Sequence, residues 1–476
     1  MEVLKNFINN EWVIPHYKEA IELKNPADLS TVAVAPISMP EDVDAAVDAA
    51  YEAFNKSEWA DNPSLRAESM LKMAENMQAN ADEIAREITL ENGQLIKNSK
   101  MEALFSPGTL KYYAGLAENV NGRTTIISPN SLAAIVREPV GVVAIIVPWN
   151  APVYLLIRSL GPALAAGNTV IIKPSIYTAG VTAKLISFMM KNVNLPRGVI
   201  NMVLGTGETV GDRLVSHKKV NMISFTGDTY TGKSIMKKAA DHLKRLSLEL
   251  GGKSPNIIFD DANMESAIKG IINGAALYMA GQICFAGTRL LVQKNISDVI
   301  KSKVKDIFRT LKVGPGIDEN TDVPPLINEQ QLNRVLNYIE LGKSEAKLVT
   351  GGRRLEMKGY FIEPTLFSDV NPDSRIFKEE IFGPVLTISE FDSIEEAADL
   401  ANSTDYGLAA GVWTRDISKA LSIARKVKAG TIWINDYGKI YHQAIVGGFK
   451  QSGIGRLYGI EGLNEFTELK HINLNY

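Results

Sequence analysis

The sequence holds a single cysteine, Cys284, among its 476 residues. One cysteine cannot close an intramolecular disulfide. Histidines number five and are scattered without ligand spacing, so no metal site is expected. Neither sign of charge prevails: 51 Lys and Arg stand against 54 Asp and Glu, a net charge of -3, and the pI is about 6.1. That balance speaks against nucleic acid or an anionic membrane surface as the main partner. Long apolar runs are also missing. The longest stretch, residues 141–147, has the length of a buried strand and is far short of a membrane span. From Met1 to Asn6 no basic region leads into an apolar run, so no secretory signal is expected and a cytoplasmic location is the default. Internal repeats and low-complexity tracts are absent.

What is present is the composition of an ordinary globular protein, 45% hydrophobic and 22% charged, in a chain long enough for two or three domains. Residues 7–35 read as short strands and turns. Helices are expected over 40–55, where Val43, Ala46, Val47, Ala50 and Ala53 recur at helical spacing, and over 63–90 and 97–117. A strand over 131–138 follows. Next, apolar strands over 141–147, 169–173, 199–204 and 222–225 alternate with helices over 153–166, 179–193, 209–217 and 229–238. Continuous apolar strands alternating with helices predict an α/β fold with a parallel sheet covered on both faces. Ligands bind such sheets at the carboxyl ends of the strands. Four segments fall there: Pro148-Trp149-Asn150, Lys173-Pro174-Ser175, a GxGxxxG stretch from Gly205 through Gly207 to Gly211, and Phe225-Thr226-Gly227-Asp228. The last opens a helix whose N-terminal amides suit a pyrophosphate. Beyond Gly252 a second α/β unit is expected, with strands over 256–259, 289–293, 346–350, 360–367, 385–391, 408–414 and 431–435, and helices including 264–276 and 296–311.

Cys284 lies between Gly281 and Gly287, beside the small Ala286, just before an apolar strand pattern. Glycines there free the backbone to approach a ligand. A thiol that attacks a carbonyl needs a donor for the oxyanion, and the resulting thioester needs a base to activate water. Asn150 can be that donor and Glu249, in Leu248-Glu249-Leu250-Gly251-Gly252-Lys253, that base. Taken singly, each has a plainer reading: a small buried hydrophobe for Cys284, a turn carboxylate for Glu249, a cap residue for Asn150. Together the three motifs resemble the aldehyde dehydrogenase family, and the resemblance covers nearly the whole chain.

The resemblance implies a fold of three parts. These are a Rossmann-like cofactor domain from residues 1–118, 140–249 and 449–466, a catalytic α/β domain over 250–448, and a small β oligomerisation element from 119–139 and 467–476. It further implies oxidation of an aldehyde to a carboxylic acid with NAD or NADP. In that scheme the Cys284 backbone N–H and the Asn150 amide hold the oxyanion, and Glu249 activates water. Pro148, Trp149, Ser175, Gly207, Gly211, Phe225, Gly227, Asp228 and Gly251 are the expected cofactor contacts, with Lys173 at the adenosine ribose, Glu380 at the nicotinamide ribose and Phe382 beside the ring. Two positions depart from the family pattern. Ile176 stands where NAD-preferring members carry a Glu, which predicts use of both nucleotides. Asp228 stands where Ser is usual, as a helix cap that repels pyrophosphate if it faces it.

For the substrate, Tyr154, Arg158 and Val446 are candidates. Arg158 and the Asn-Ala-Pro sequence resemble members acting on aromatic aldehydes (benzaldehyde, salicylaldehyde, vanillin), and the arginine also those acting on succinic semialdehyde. An Arg paired with a structural carboxylate is an equal reading of Arg158. The resemblance also implies a homodimer or homotetramer, with a strand at 470–476 pairing with a neighbouring subunit. Two alternatives stand beside the hydrolytic dehydrogenase: an acylating member that passes the acyl group to coenzyme A, and a catalytically silent structural relative.

Overall fold

In a computed structural model, residues 2–275 and 277–476 are described. The end of the helix expected over 264–276 therefore lies outside the described residues; its observed bounds are Met264–Gly274. Two large sheets organise the chain. The first runs in the order Glu11–Val13, Asn6–Ile8, Ile200–Met202, Thr169–Lys173, Val142–Ile146, Met222–Thr226, Arg245–Glu249, Gly453–Ile454. Its five inner strands are parallel, and those from Thr169–Lys173 through Met222–Thr226 are buried along their whole length. Apolar side chains on both faces of each strand demand cover on both sides, and the helices between them supply it.

The chain leaves Val142–Ile146 toward one edge and returns to its other side at Met222–Thr226. That reversal is a topological switch point, where the carboxyl ends of neighbouring strands diverge and leave a crevice. The second sheet runs Lys347–Thr350, Thr365–Ser368, Val385–Phe391, Arg289–Gln293, Pro255–Ile258, Ala409–Trp413, Thr431–Ile434, parallel except for its first pair. Each sheet has its own apolar core.

Two helices differ from the expected ones. The helix expected over 63–90 is two helices, Pro63–Ala79 and Ala81–Asn92. Apolar spacing continues across the break through Met77, Ala81 and Ile84, all buried, which is why one helix was expected. At Asn80 the backbone departs from helical geometry and the side chain donates to the Asn76 carbonyl. Such a local bond competes with the helix ladder. The helix expected over 209–217 is shorter, Asp212–Ser216, preceded by a wide π-type turn at Gly207–Gly211. Finally, the C-terminal strand Thr467–Asn475 pairs along its length with Ser131–Pro139 of the same chain, in a three-stranded sheet with Arg123–Ser128. One of its edges is satisfied within the chain, and the other has no strand partner among the described residues. No helix among the described residues is long and apolar enough to cross a membrane.

Candidate active site

A cleft of about 860 Å³ opens at the switch point, and Cys284, Glu249 and Asn150 all line it. Three different elements deliver them. Glu249 ends a strand of the first sheet. Asn150 lies between strand Val142–Ile146 and helix Pro152–Ala165. Cys284 sits in the loop before strand Arg289–Gln293 of the second sheet.

Close backbone approach makes this meeting possible. At Gly252 a Cβ would fall 2.4 Å from the Cys284 carbonyl oxygen, and at Gly251 it would fall 2.5 Å from a Glu380 carboxylate oxygen. At Gly252, where the neighbour is backbone, only glycine fits. The strand bearing Glu249 is held from its far side as well. Gly453 pairs with Glu249, Leu250 N donates to the Ser452 carbonyl, and Ser452 Oγ donates to the Gly251 carbonyl at 2.7 Å.

The Asn150 side chain is 6% exposed, and its Nδ2 donates to the Gln282 carbonyl at 3.0 Å, two residues before the nucleophile. One amide hydrogen is thus committed to the cysteine loop, and the amide group still has a second. Asn92 Nδ2 donates to the carbonyls of Trp149 and Asn150, fixing the turn. Glu102 accepts from the backbone N–H groups of Val153 and Tyr154 and from Gln94 Nε2, closing the start of the following helix. Gln282 in turn accepts from Ile327 N and donates to the Met279 carbonyl. None of Asn92, Glu102 or Gln282 was singled out from the sequence. For Glu102 a signal existed. It lies in the buried stripe Ser99, Glu102, Ala103, Ser106 of helix Ile96–Ala117, and a carboxylate on such a stripe implies a partner.

Burial dominates the electrostatics. It pushes the Cys284 thiol up to about 12, with Arg158 pulling the other way, so the thiolate needs further positive charge nearby. Met279, Ile283 and Ala286 of the same loop form a small apolar cluster with Ala151, Tyr278 and Phe285. Glu249, 4% exposed, is likewise raised by burial, against Arg158 and Arg456.

All of the sequence-predicted cofactor contacts line the same cleft: Pro148, Trp149, Lys173, Ser175, Gly207, Gly211, Phe225, Gly227, Asp228, Gly251, Glu380 and Phe382. Lys173 is 5% exposed and burial pulls its pKa down to about 8; its Nζ donates to the Pro174 carbonyl. An ammonium so placed has donors to spare for hydroxyl groups in the cleft. Glu380, raised to about 7 by burial, accepts from Gly252 N at 3.0 Å. Phe382 stands edge-on to Trp149, ring centroids 5.5 Å apart. Asp228 does cap its helix, accepting from Thr231 N and Oγ1 while it faces the cleft. Ile176 does not line the cleft; it packs into the first core, and its neighbour Tyr177 lines the cleft instead. Glu208, not singled out from the sequence, also lines it.

The three substrate candidates lie behind this cleft and do not line it. Arg158 is 4% exposed and directs its guanidinium at Thr226 and Glu249, the paired reading of this residue. Tyr154 stacks loosely in an aromatic group with Phe105 and Tyr458, and His442 lies 4.2 Å from the Phe105 ring. Val446 bridges through its backbone to Leu457 and packs on the first core. Among the described residues there is no cluster of three or more potential metal ligands of the Cys, His, Asp and Glu types.

Cys284, Glu249 and Asn150 meet in one α/β crevice, and the chain belongs to the aldehyde dehydrogenase family, whose model matches residues 12–472. It is 43% identical to a betaine aldehyde dehydrogenase of Bacillus subtilis over 98% of this chain and 97% of that one. An aldehyde dehydrogenase 1 of Tanacetum cinerariifolium is 41% identical, with 98% and 94% of the two chains covered. Among solved structures, an NAD+ complex of an aldehyde dehydrogenase from Bacillus cereus superposes with a TM-score of 0.97 at 41% identity, covering 100% of this chain and 97% of that one. The betaine aldehyde dehydrogenase of Staphylococcus aureus in complex with NAD+ gives 0.97 at 39% identity, covering 99% and 95%. The protein is an aldehyde dehydrogenase, an oxidoreductase.

Asn150→Ala is expected to lower kcat by about 10²- to 10³-fold, the scale of losing one oxyanion donor. Steady-state kinetics beside a melting curve checks it, because a loss explained by unfolding would also lower Tm.

Proposed function

We propose that this chain oxidises an aromatic aldehyde to its carboxylic acid with NAD+, through a thioester on Cys284. The observation that carries the reading is the convergence of Cys284, Asn150 and Glu249 on one cleft with the residues expected to hold the dinucleotide. The Cys284 sulfur, as thiolate, attacks the aldehyde carbon, and the oxyanion is held by the Asn150 amide and the Cys284 N–H. When bound, the nicotinamide ring takes up the hydride that leaves this carbon. Glu249 then takes a proton from water as the water oxygen attacks the thioester carbonyl. The C–S bond breaks, sulfur departs as thiolate, and the acid is released. The retained base supports water, not coenzyme A, as acyl acceptor.

The Asn-Ala-Pro sequence that opens helix Pro152–Ala165 supports an aromatic substrate; the ring groups Phe105, Tyr154, Tyr458 and Phe285, Trp433, Tyr437 include residues of that helix and of the Cys284 loop but do not line the cleft. A quaternary-ammonium aldehyde, the substrate named for several relatives, is a second reading, since aromatic rings also hold such cations. The buried Arg158 guanidinium near Cys284 opposes it. A semialdehyde loses its support, because Arg158 is engaged by Thr226 and Glu249. Reduced-nicotinamide absorbance with benzaldehyde, betaine aldehyde, succinic semialdehyde and hexanal tests this: benzaldehyde should give the highest kcat/KM. Failure to turn over any of the four would leave the silent relative as the better account.

For the cofactor, the expectation of dual use is narrowed. Ile176 is packed away, but Glu208 places a carboxylate in the cleft, held low by its own backbone N–H, by Thr206 and by Lys173. A carboxylate near the ribose accepts from a 2′-hydroxyl and repels a 2′-phosphate. NAD+ should therefore be preferred, and Glu208→Gln should narrow the NAD+ to NADP+ ratio of kcat/KM by about tenfold, the scale of one charged hydrogen bond. An unchanged ratio would place the discrimination elsewhere.

The domain division at residues 118, 139, 249, 448 and 466 is kept, with a homo-oligomer built on the three-stranded sheet. Exposed Ile126, Ile127, Leu469 and Leu474 support that surface as one covered by a second copy.

A further inference from the structure

Arg158 lies in the second turn of helix Pro152–Ala165, facing the ends of two paired strands. Thr226 and Glu249 are register partners there, side by side in the parallel pair. The Arg158 guanidinium donates through Nη2 to Thr226 Oγ1 at 2.9 Å, and its Nη1 stands 3.8 Å from Glu249 Oε2. That second distance is too long for a hydrogen bond. The guanidinium is thus tethered by a neutral hydroxyl, and its charge faces the carboxylate without occupying it. Glu249 Oε1 is buried and has no hydrogen-bond partner among the described residues, while the residue lines the cleft.

The contrast with an ordinary buried ion pair is instructive. A carboxylate gripped by a bidentate arginine has its lone pairs filled and makes a poor proton acceptor. A buried carboxylate with no cation nearby is protonated and makes none. The arrangement here avoids both conditions. We propose that Arg158 is a positioning residue for deacylation, which keeps Glu249 anionic and aimed at the cleft while leaving its oxygens free to take a proton from water.

The other groups facing Glu249 do not replace this charge. Arg456, after strand Gly453–Ile454, favours the anion, and Glu465, at the end of helix Gly459–Glu465, opposes it. Cys284 as thiolate would oppose it further, and Tyr154 on the helix of Arg158 adds no positive charge. Tyr458 beside Tyr154 likewise adds none.

The inference rests on Cys284 as nucleophile and Glu249 as base, and one experiment separates the two levels. 4-Nitrophenyl acetate acylates a reactive thiol without any cofactor, and intact-mass spectrometry after rapid quenching follows the decay of the acetyl-enzyme across pH. In the wild type, peptide mapping should place the acetyl group on Cys284; any other site overturns the underlying reading. With Arg158→Met, acylation should persist while decay slows tenfold or more at neutral pH. Removing the cation makes Glu249 easier to protonate, so the acid limb of the decay profile should move up by about one pH unit. Arg158→Lys should return the limb to near its wild-type position. A limb and decay rate unchanged in Arg158→Met overturn the inference. So does equal loss in both variants with a lowered Tm, which marks a structural brace. If Arg158→Met does not fold, Thr226→Val carries the test: loss of the tether should slow decay several-fold with acylation intact, and an unchanged decay overturns the proposal.

Discussion

Cys284→Ala is expected to abolish aldehyde oxidation, by about four orders of magnitude or more, while cofactor binding and Tm stay close to wild type. The size follows from the chemistry, since no other thiol exists in the chain to carry the acyl group, and removing an enzymatic nucleophile costs on this scale. Retained binding follows from the geometry. The expected cofactor contacts belong to both sheets' loops, and none is held by the Cys284 side chain. Stability should change by less than about 1 kcal/mol, because the residue is only half-buried and Ala loses one sulfur atom. NAD+ titration by calorimetry, a melting curve and the rate with benzaldehyde check the three parts. The single cysteine offers a second route: stoichiometric iodoacetamide should inactivate the wild type with one label per chain. A variant that keeps a tenth of its activity would show that Cys284 is only a packing residue.

Much of the cleft's lining is legible in the sequence. That lining is concentrated in short contiguous stretches, most at the carboxyl end of a strand, with the Cys284 and Glu380 stretches just before one. Strand position is legible from continuous apolar runs, and strands Thr169–Lys173, Arg289–Gln293 and Val385–Phe391 fall on their expected bounds. Boundaries set by hydrogen bonding were less legible. The strand expected over 360–367 begins only at Thr365, because Pro364 has no N–H to give to a ladder.

Residues that act through distant partners were invisible for a different reason. Glu102 reaches across 51 positions to Val153, and Asn92 across 58 to Asn150. Spacing cannot report such pairs, since they exist only once helices Ala81–Asn92 and Ile96–Ala117 have packed beside the start of helix Pro152–Ala165. Arg158 shows the intermediate case. A charge on a buried helical face announces a partner, but the sequence could not decide between a substrate and a carboxylate. The parallel register of Thr226 with Glu249 supports the carboxylate, by placing an acceptor and a counter-charge within reach.

Glu249→Gln is the sharper test of mechanism, because it should split the reaction and not stop it. Gln keeps the volume and planarity of the carboxylate but takes no proton. Attack by Cys284 and departure of hydride do not use this group, so one equivalent of reduced cofactor should form at close to the wild-type rate. The thioester then lacks a base to activate water, and later turnovers should slow by about 10²- to 10⁴-fold, the usual contribution of general base catalysis. The predicted trace is a burst followed by a slow line. Hydroxylamine, a nucleophile that does not need the base, should raise the slow line and yield the hydroxamate. In the wild type the steady-state rate should fall on the acid side as Glu249 takes up a proton. Burial raises this carboxyl, so the fall should set in at higher pH than for an ordinary carboxylate. The variant should lack that limb. Leaving Arg158 without its counter-charge can also weaken the fold, so the melting curve must accompany the kinetics. A uniformly slow trace with no burst, in a variant whose Tm is unchanged, would mean that Glu249 acts before the thioester forms.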